Sequence, residues 1–225
     1  MRAIRVLVAL LFAAYNVVPL YGLWAWHWDA FQLLILYWSE TVVLAAWTML
    51  RLTFVPADLL GDVTINGKTV PATHTSLIGI MSLVAGIFCL VHLIFLFAIF
   101  SGDWFRRLHG LGDFLRTFYI TSDAWIPLGI VTLAGGAEAL TGQYRPQFVD
   151  ALALRLNIVA VPAAPGAAPG DAVGNIIGPL MIRIVVMQVA IIFGAWFASF
   201  VGSVAPLAIL VALKTLFDFG HRTVR

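Results

Sequence analysis

Between Ser76 and Phe100 the chain carries no Asp, Glu, Lys or Arg. A membrane-spanning helix needs ~20 predominantly apolar residues, so this stretch alone is long enough to cross a bilayer. Five other stretches qualify once isolated polar insertions are allowed. The expected spans are roughly 6–26, 31–51, 76–100, 118–141, 177–201 and 204–220. Composition agrees: 62% of the residues are hydrophobic and 11% charged, against ~25% charged in an ordinary soluble domain. A soluble chain could not hide that much apolar surface, whereas lipid lets it face outward. The expectation is a single all-α membrane domain, a bundle of about six transmembrane helices.

The ends of the spans carry their own signals. Arg2 and Arg5 precede the apolar run Val6–Ala14 as in a secretory signal. No small-x-small cleavage site follows, and the run continues through Tyr15, Asn16 and Pro19, so it reads as an uncleaved first helix. His27, Trp28 and Asp29 form a short turn that makes the first two spans a tight hairpin. Near Gly202, Ser203 and Pro206 the last two spans separate, with one long kinked helix as the alternative. The positive-inside rule gives the orientation. With a cytoplasmic N-terminus, Arg2, Arg5, Arg51, Lys68, Arg145, Arg155, Arg222 and Arg225 lie inside, and Arg106, Arg107 and Arg116 outside. Both termini are then cytoplasmic. Trp24, Trp26, Trp28, Trp104 and Trp125 fall at the outer interface, where amphipathic rings prefer to sit.

Three connections stand out. In Val63-Thr64-Ile65-Asn66-Gly67-Lys68-Thr69-Val70, an Asn-Gly pair joins two β-forming runs. A type I′ turn needs two residues tolerant of positive φ, so a β-hairpin is expected over 62–71, outside the bilayer. Such a hairpin is marginal alone and must pack on something. The segment 103–117 mixes Trp104, Phe105, Leu108, Leu111, Phe114 and Leu115 with Arg106, Arg107, Asp113 and Arg116, the pattern of an interfacial amphipathic helix. A second such helix is expected over Phe148–Val161. The Ala/Pro/Gly tract that follows reads as a linker over 162–175.

Ionisable groups at membrane depth are costly, so each one is a candidate for function. Glu40 sits mid-span with Tyr37 and Thr41 on its side of the helix. Unpaired, it would hold its proton; otherwise it must face a cation. His92 flanks a small-residue stripe of Ser82, Gly86 and Cys89, so it points at another helix rather than lipid. Lys214, Asp218 and His221 share one face of the last span. Their structural reading is a snorkelling lysine paired with the aspartate; the functional one is a cluster that engages Glu40 or His92. Arg183 reads as snorkelling to the interface. Gln188, Ala195, Ser199 and Gly202 read as a packing stripe. Glu138, after Gly135-Gly136, reads as interfacial. Asn16 could bond carbonyls freed at Pro19.

No nucleotide loop, zinc set or nucleophile elbow occurs. Cys89 is the single cysteine, which rules out an internal disulfide or a cysteine zinc site. The thirteen Lys and Arg are dispersed, which argues against nucleic acid. No metal is assigned, although Glu40 and His92 are the candidates, and no cofactor is specified.

The run Asn16…Pro19-Leu20…Tyr37-Trp38-Ser39-Glu40, the segment Pro179-Leu-Met-Ile-Arg183-Ile and the closing Lys214-Thr-Leu-Phe-Asp218-Phe-Gly-His221 resemble an uncharacterised family of bacterial multi-pass inner-membrane proteins. The resemblance spans most of the chain. It implies that Glu40, His92, Arg183, Lys214 and Asp218 belong to the family's polar pattern, and it implies the bacterial cytoplasmic membrane. It brings no activity. A histidine is expected near Gln188 and is not there, which weakens a metal or haem role at that position.

Three functions remain open. The first is an accessory or structural subunit of a larger membrane assembly, with the bilayer and partner subunits or further copies of itself as partners. The second is an intramembrane enzyme or a metal- or cofactor-binding protein using Glu40, His92, Asp218 and His221, which requires at least three of them to converge. The third is a small proton-coupled transporter, which would favour broken helices and an inverted repeat.

Overall fold

The computed structural model describes residues 18–19, 21–142, 144, 146, 147, 149 and 168–201, with the side chains of 65, 105, 141 and 190–201 set aside. Most of the first expected span, all of 204–220 and nearly all of the expected helix over Phe148–Val161 lie outside these residues. So do Asn16, Lys214, Asp218 and His221.

Helix α1 spans Ala30–Leu52 and opens on a capping box. Asp29 Oδ1 accepts from the Gln32 amide at 2.8 Å, and Gln32 Oε1 accepts from the Asp29 amide at 3.0 Å. Two of the amides left unpaired at a helix start are thereby satisfied. The preceding turn passes through His27 at positive φ, 54°. Helix α2 spans His74–Phe100 and is capped the same way by Thr73 and Ser76. Two short turns follow, α3 (Trp104–Arg107) and α4 (Leu111–Leu115). A π-turn over Arg116–Thr121 leads to α5, Trp125–Thr141. The last described helix, α6, runs over Asp171–Val201 with Pro179 inside it.

Among the described residues, three helices are long and apolar enough to cross a membrane: α1, α2 and the Asp171–Val189 part of α6. At 17 residues, α5 is ~26 Å long, slightly short of a ~30 Å hydrocarbon core.

Contacts fix how these helices run. Trp38 Nε1 donates to the Cys89 carbonyl, and Ser82 Oγ to Met49 Sδ, so α2 runs antiparallel to α1. Trp28 Nε1 reaches the Ser122 carbonyl ahead of α5, and Arg51 reaches Glu138 near its end, so α5 runs parallel to α1. The Gly170 amide donates to the Leu59 carbonyl just before α6, while Thr41 meets Met187 far along it, so α6 is antiparallel to α1. Helix α1 is therefore the hub, with α2, α5 and α6 all packed on it.

The hairpin forms as the Asn-Gly signal requires. Strands β1 (Asp62–Ile65) and β2 (Lys68–Pro71) pair antiparallel from Asp62↔Pro71 to Ile65↔Lys68. Asn66 and Gly67 have φ of 52° and 76°, the left-handed pair of a type I′ turn. Val63 packs on the apolar cluster at this end of the bundle, which supplies the support that a lone hairpin lacks.

Four expectations are corrected. The fourth span does not start as regular helix at 118: the π-turn and a break at Asp123, φ 60°, delay α5 to Trp125. The fifth starts at 171, not 177, so the expected linker over 162–175 overlaps its first turn; Gly170 at φ 91° turns the chain, and Asp171 suits the positive helix start. The segment 103–117 is two short turns rather than one amphipathic helix. Leu108 is extended there, while Trp104 Nε1 is drawn to Asp29 Oδ2 at 2.5 Å. The small stripe on α2 is only the edge of the packing face, with Ser82 and Cys89 meeting Met49 and Trp38 of α1. Ser82 and Gly86 are exposed, whereas Leu77, Met81, Ala85, His92 and Leu96 are buried.

Trp47 of α1 sits over Gly135 and Gly136 of α5, and a Cβ at Gly135 would overlap the indole. Replacing Gly135 with Leu should therefore destabilise the protein by about 1–3 kcal/mol through overpacking. Gly129→Ala, where nothing lies within 4 Å of the added carbon, should not. Thermal unfolding of both variants in detergent checks the contrast.

Candidate functional site

The core divides into two apolar clusters. One lies at the Asp29 end and is rich in aromatic rings, with Phe31 stacked edge-on against Phe97 and Phe118. The other lies at the hairpin end and gathers Leu52, Val55, Leu60, Leu77, Ala172 and Ile176. Tyr37, Leu96 and Met187 belong to the first; Ala45, Ala85 and Leu180 belong to the second. Between these residues on their three helices fall Glu40 and Thr41 of α1, His92 of α2 and Arg183 of α6. A polar layer thus crosses the bundle between two dry ones.

Glu40 is fully buried, and its Oε2 accepts from Arg183 Nη2 at 2.6 Å. The guanidinium side chain is itself only 14% exposed. Of the two ways to tolerate a mid-membrane carboxylate, the chain uses a cation. Arg183 does not snorkel to the interface as its position near the helix start implied. It turns inward, because a carboxylate excluded from lipid offers a charge-assisted bond that an interface carbonyl or headgroup cannot match at that depth. One turn along α6, Met187 Sδ accepts from Thr41 Oγ1 at 2.9 Å, and Thr41 Oγ1 also bonds its own helix at the Tyr37 carbonyl.

His92 is 4% exposed, so it faces the bundle. The Phe88 ring lies 5.0 Å from it, centroid to centroid. The Gln188 side chain reaches the imidazole from α6, but Nε2 has no hydrogen-bond partner among the described residues. Gln188, read from sequence as part of a packing stripe, thus meets the histidine. On the opposite side of α1, Ser39 Oγ and Tyr119 Oη are 2.6 Å apart, with Ser39 also bonded to the Ile35 carbonyl. Tyr119 lies in the π-turn, a geometry that recurs at functional sites.

The structure therefore joins Glu40 to Arg183 and places His92 in the same layer. Lys214, Asp218 and His221 fall outside the described residues. Among the described residues, no three His, Cys, Asp or Glu side chains come together. Glu138 forms an exposed ion pair with Arg51 at 2.9 Å near the hairpin end. Sequence reading missed Trp38, Tyr119 and Met187 as polar partners. Indoles, phenols and thioethers count as apolar in a hydropathy scan, and nothing but distance reveals what they bond.

A family model described as a family of unknown function (DUF6498) matches residues 2–225. The chain belongs to this family. No curated protein and no solved structure matches it. The match covers almost the whole DUF6498 chain, so the buried pair and the hairpin both lie inside the family's unit.

Removing one member of a buried pair leaves an uncompensated charge, at about 3–5 kcal/mol, whereas replacing both with apolar residues is near neutral. Glu40→Leu and Arg183→Met should each lower stability by that amount. The double variant should recover most of the loss, read as a coupling energy from unfolding in detergent.

Proposed function

We propose that this DUF6498 protein is an accessory or structural subunit of a larger assembly in the bacterial inner membrane, with both termini cytoplasmic. Its buried polar cluster, with Glu40, Arg183 and His92 joined by Lys214, Asp218 and His221 of the final span, holds its own helices in register. The observation that carries this reading is the outer face of α2. Leu83, Leu90 and Ile94 are 60–63% exposed there. Gly79 and Gly86, two turns apart on the same face, would meet nothing within 4 Å if a Cβ were added. Lipid-facing helices need no glycine, and a second helix approaches most closely where small residues interrupt the large ones. The face supplies such a landing strip on the most apolar span of the described chain.

The chain alone should tolerate bulk at these positions, since helix propensity favours Leu over Gly by up to ~1 kcal/mol. Gly79→Leu and Gly86→Leu should keep the thermal midpoint and lose the assembly. Native mass spectrometry of the protein extracted from its own membrane, together with cross-linking through a cysteine placed at Leu83, reads this directly. Monomer alone from the unaltered protein, with no cross-linked species, would end the proposal.

A further inference from the structure

We propose that His92 and Gln188 hold an ordered water molecule inside the membrane, and that this water bridges α2 to α6. The imidazole is 4% exposed, and its Nε2 has no hydrogen-bond partner among the described residues. Leaving such a group unsatisfied is costly, and in native proteins an orphan of this kind usually marks a water, an ion or a ligand. Its depth excludes bulk solvent as the partner. His92 lies eight residues before the end of α2 at Phe100, or about 12 Å along the helix axis. Lipid at that depth offers no hydrogen bonds.

The two helices that water would join share the apolar cluster at the hairpin end, where Leu77, Met81 and Ala85 of α2 gather with Ala172, Ile176 and Leu180 of α6. Both lean on α1. Bonds on the two flanks of α1 set the level: Trp38 to the Cys89 carbonyl on one side, Thr41 to Met187 on the other. Cys89 is one turn before His92, and Gln188 follows Met187. The imidazole and the amide therefore meet at one depth, across the junction of the two helices, and the amide reaches the ring without satisfying Nε2.

The donor set selects the occupant. A water needs little space and two or more polar partners, which an imidazole nitrogen and a carboxamide supply. A carboxamide offers both a donor and an acceptor, so the site serves whichever ring nitrogen carries the proton. A divalent metal is a poor fit, because no three His, Cys, Asp or Glu side chains gather among the described residues, and the cation of Arg183 occupies the same layer.

The test is solid-state NMR of the full chain in lipid bilayers with ¹⁵N-labelled histidine, with His92 assigned by its loss in His92→Phe. The expected result is magnetisation transfer from water to His92 Nε2. In Gln188→Leu the transfer should fall several-fold and the thermal midpoint should drop. A ring with no transfer from water, or a direct bond between Nε2 and the Gln188 amide, overturns the proposal. So does a lipid-soluble molecule or metal that co-purifies with the unaltered protein and is lost in His92→Phe. If neither variant folds, His92 is assigned in the unaltered protein by sequential backbone correlations to Val91 and Leu93, and the water transfer to its ring decides alone.

Discussion

A carboxylate at the centre of a membrane helix constrains everything around it. Glu40 is fully buried and holds Arg183 at 2.6 Å. Lipid cannot solvate either group, so both must be enclosed by protein. That requirement makes α1 the hub, since a helix carrying Glu40 cannot sit on the perimeter with that face outward. It also fixes the azimuth of α6, whose Arg183 must look inward, and so sets which of its apolar residues meet lipid. Ile182, Val185 and Val189 do, at 38–60% exposure.

The layer around this pair separates two apolar clusters of different character. The Asp29 end is built from aromatic rings and tied by indole bonds, Trp28 to the Ser122 carbonyl and Trp104 to Asp29. Such rings suit a membrane boundary because one end is apolar and the other seeks a polar partner. The hairpin end is built from aliphatic residues and closed by backbone, with Gly61 pressed against Gly170 so closely that a side chain at Gly61 would strike the facing backbone. One end is fastened by side chains and the other by main chain, and the polar layer sets the register between them.

How much of this could be read beforehand follows from what a bilayer hides. The Asn-Gly pair named the hairpin because a type I′ turn has a local cause that membranes do not alter. The existence of α1 and α2 was legible from length and hydropathy. The packing face of α2 was not. Every face of that helix is apolar, so hydropathy cannot tell lipid from protein, and the small-residue stripe marks only the edge of the packed face. His92 was the reliable marker, because a polar ring must face inward wherever the aliphatic residues point. Arg183 was misread because a long cationic side chain near a helix start has two outlets, the interface and a buried carboxylate, and sequence shows only one of them.

These points invert the rule that governs soluble cores. Of the three spans among the described residues, α2 is the most apolar and the least buried, while α1 carries Ser39, Glu40, Thr41 and Thr48 and is the most buried. In water the apolar helix would move to the centre. In lipid the hydrophobic drive between helices is lost, and polar contacts and close packing decide position instead. The helix with the most hydrogen bonds to make becomes the core, and the greasiest becomes the surface. Helix α2 is held to α1 by one buried stripe, Leu77, Met81, Ala85, His92 and Leu96, together with the Trp38 bond to the Cys89 carbonyl and the Ser82 contact with Met49. The rest of its surface, with Leu83, Leu90 and Ile94 exposed, is left apolar because lipid asks for no polar face there.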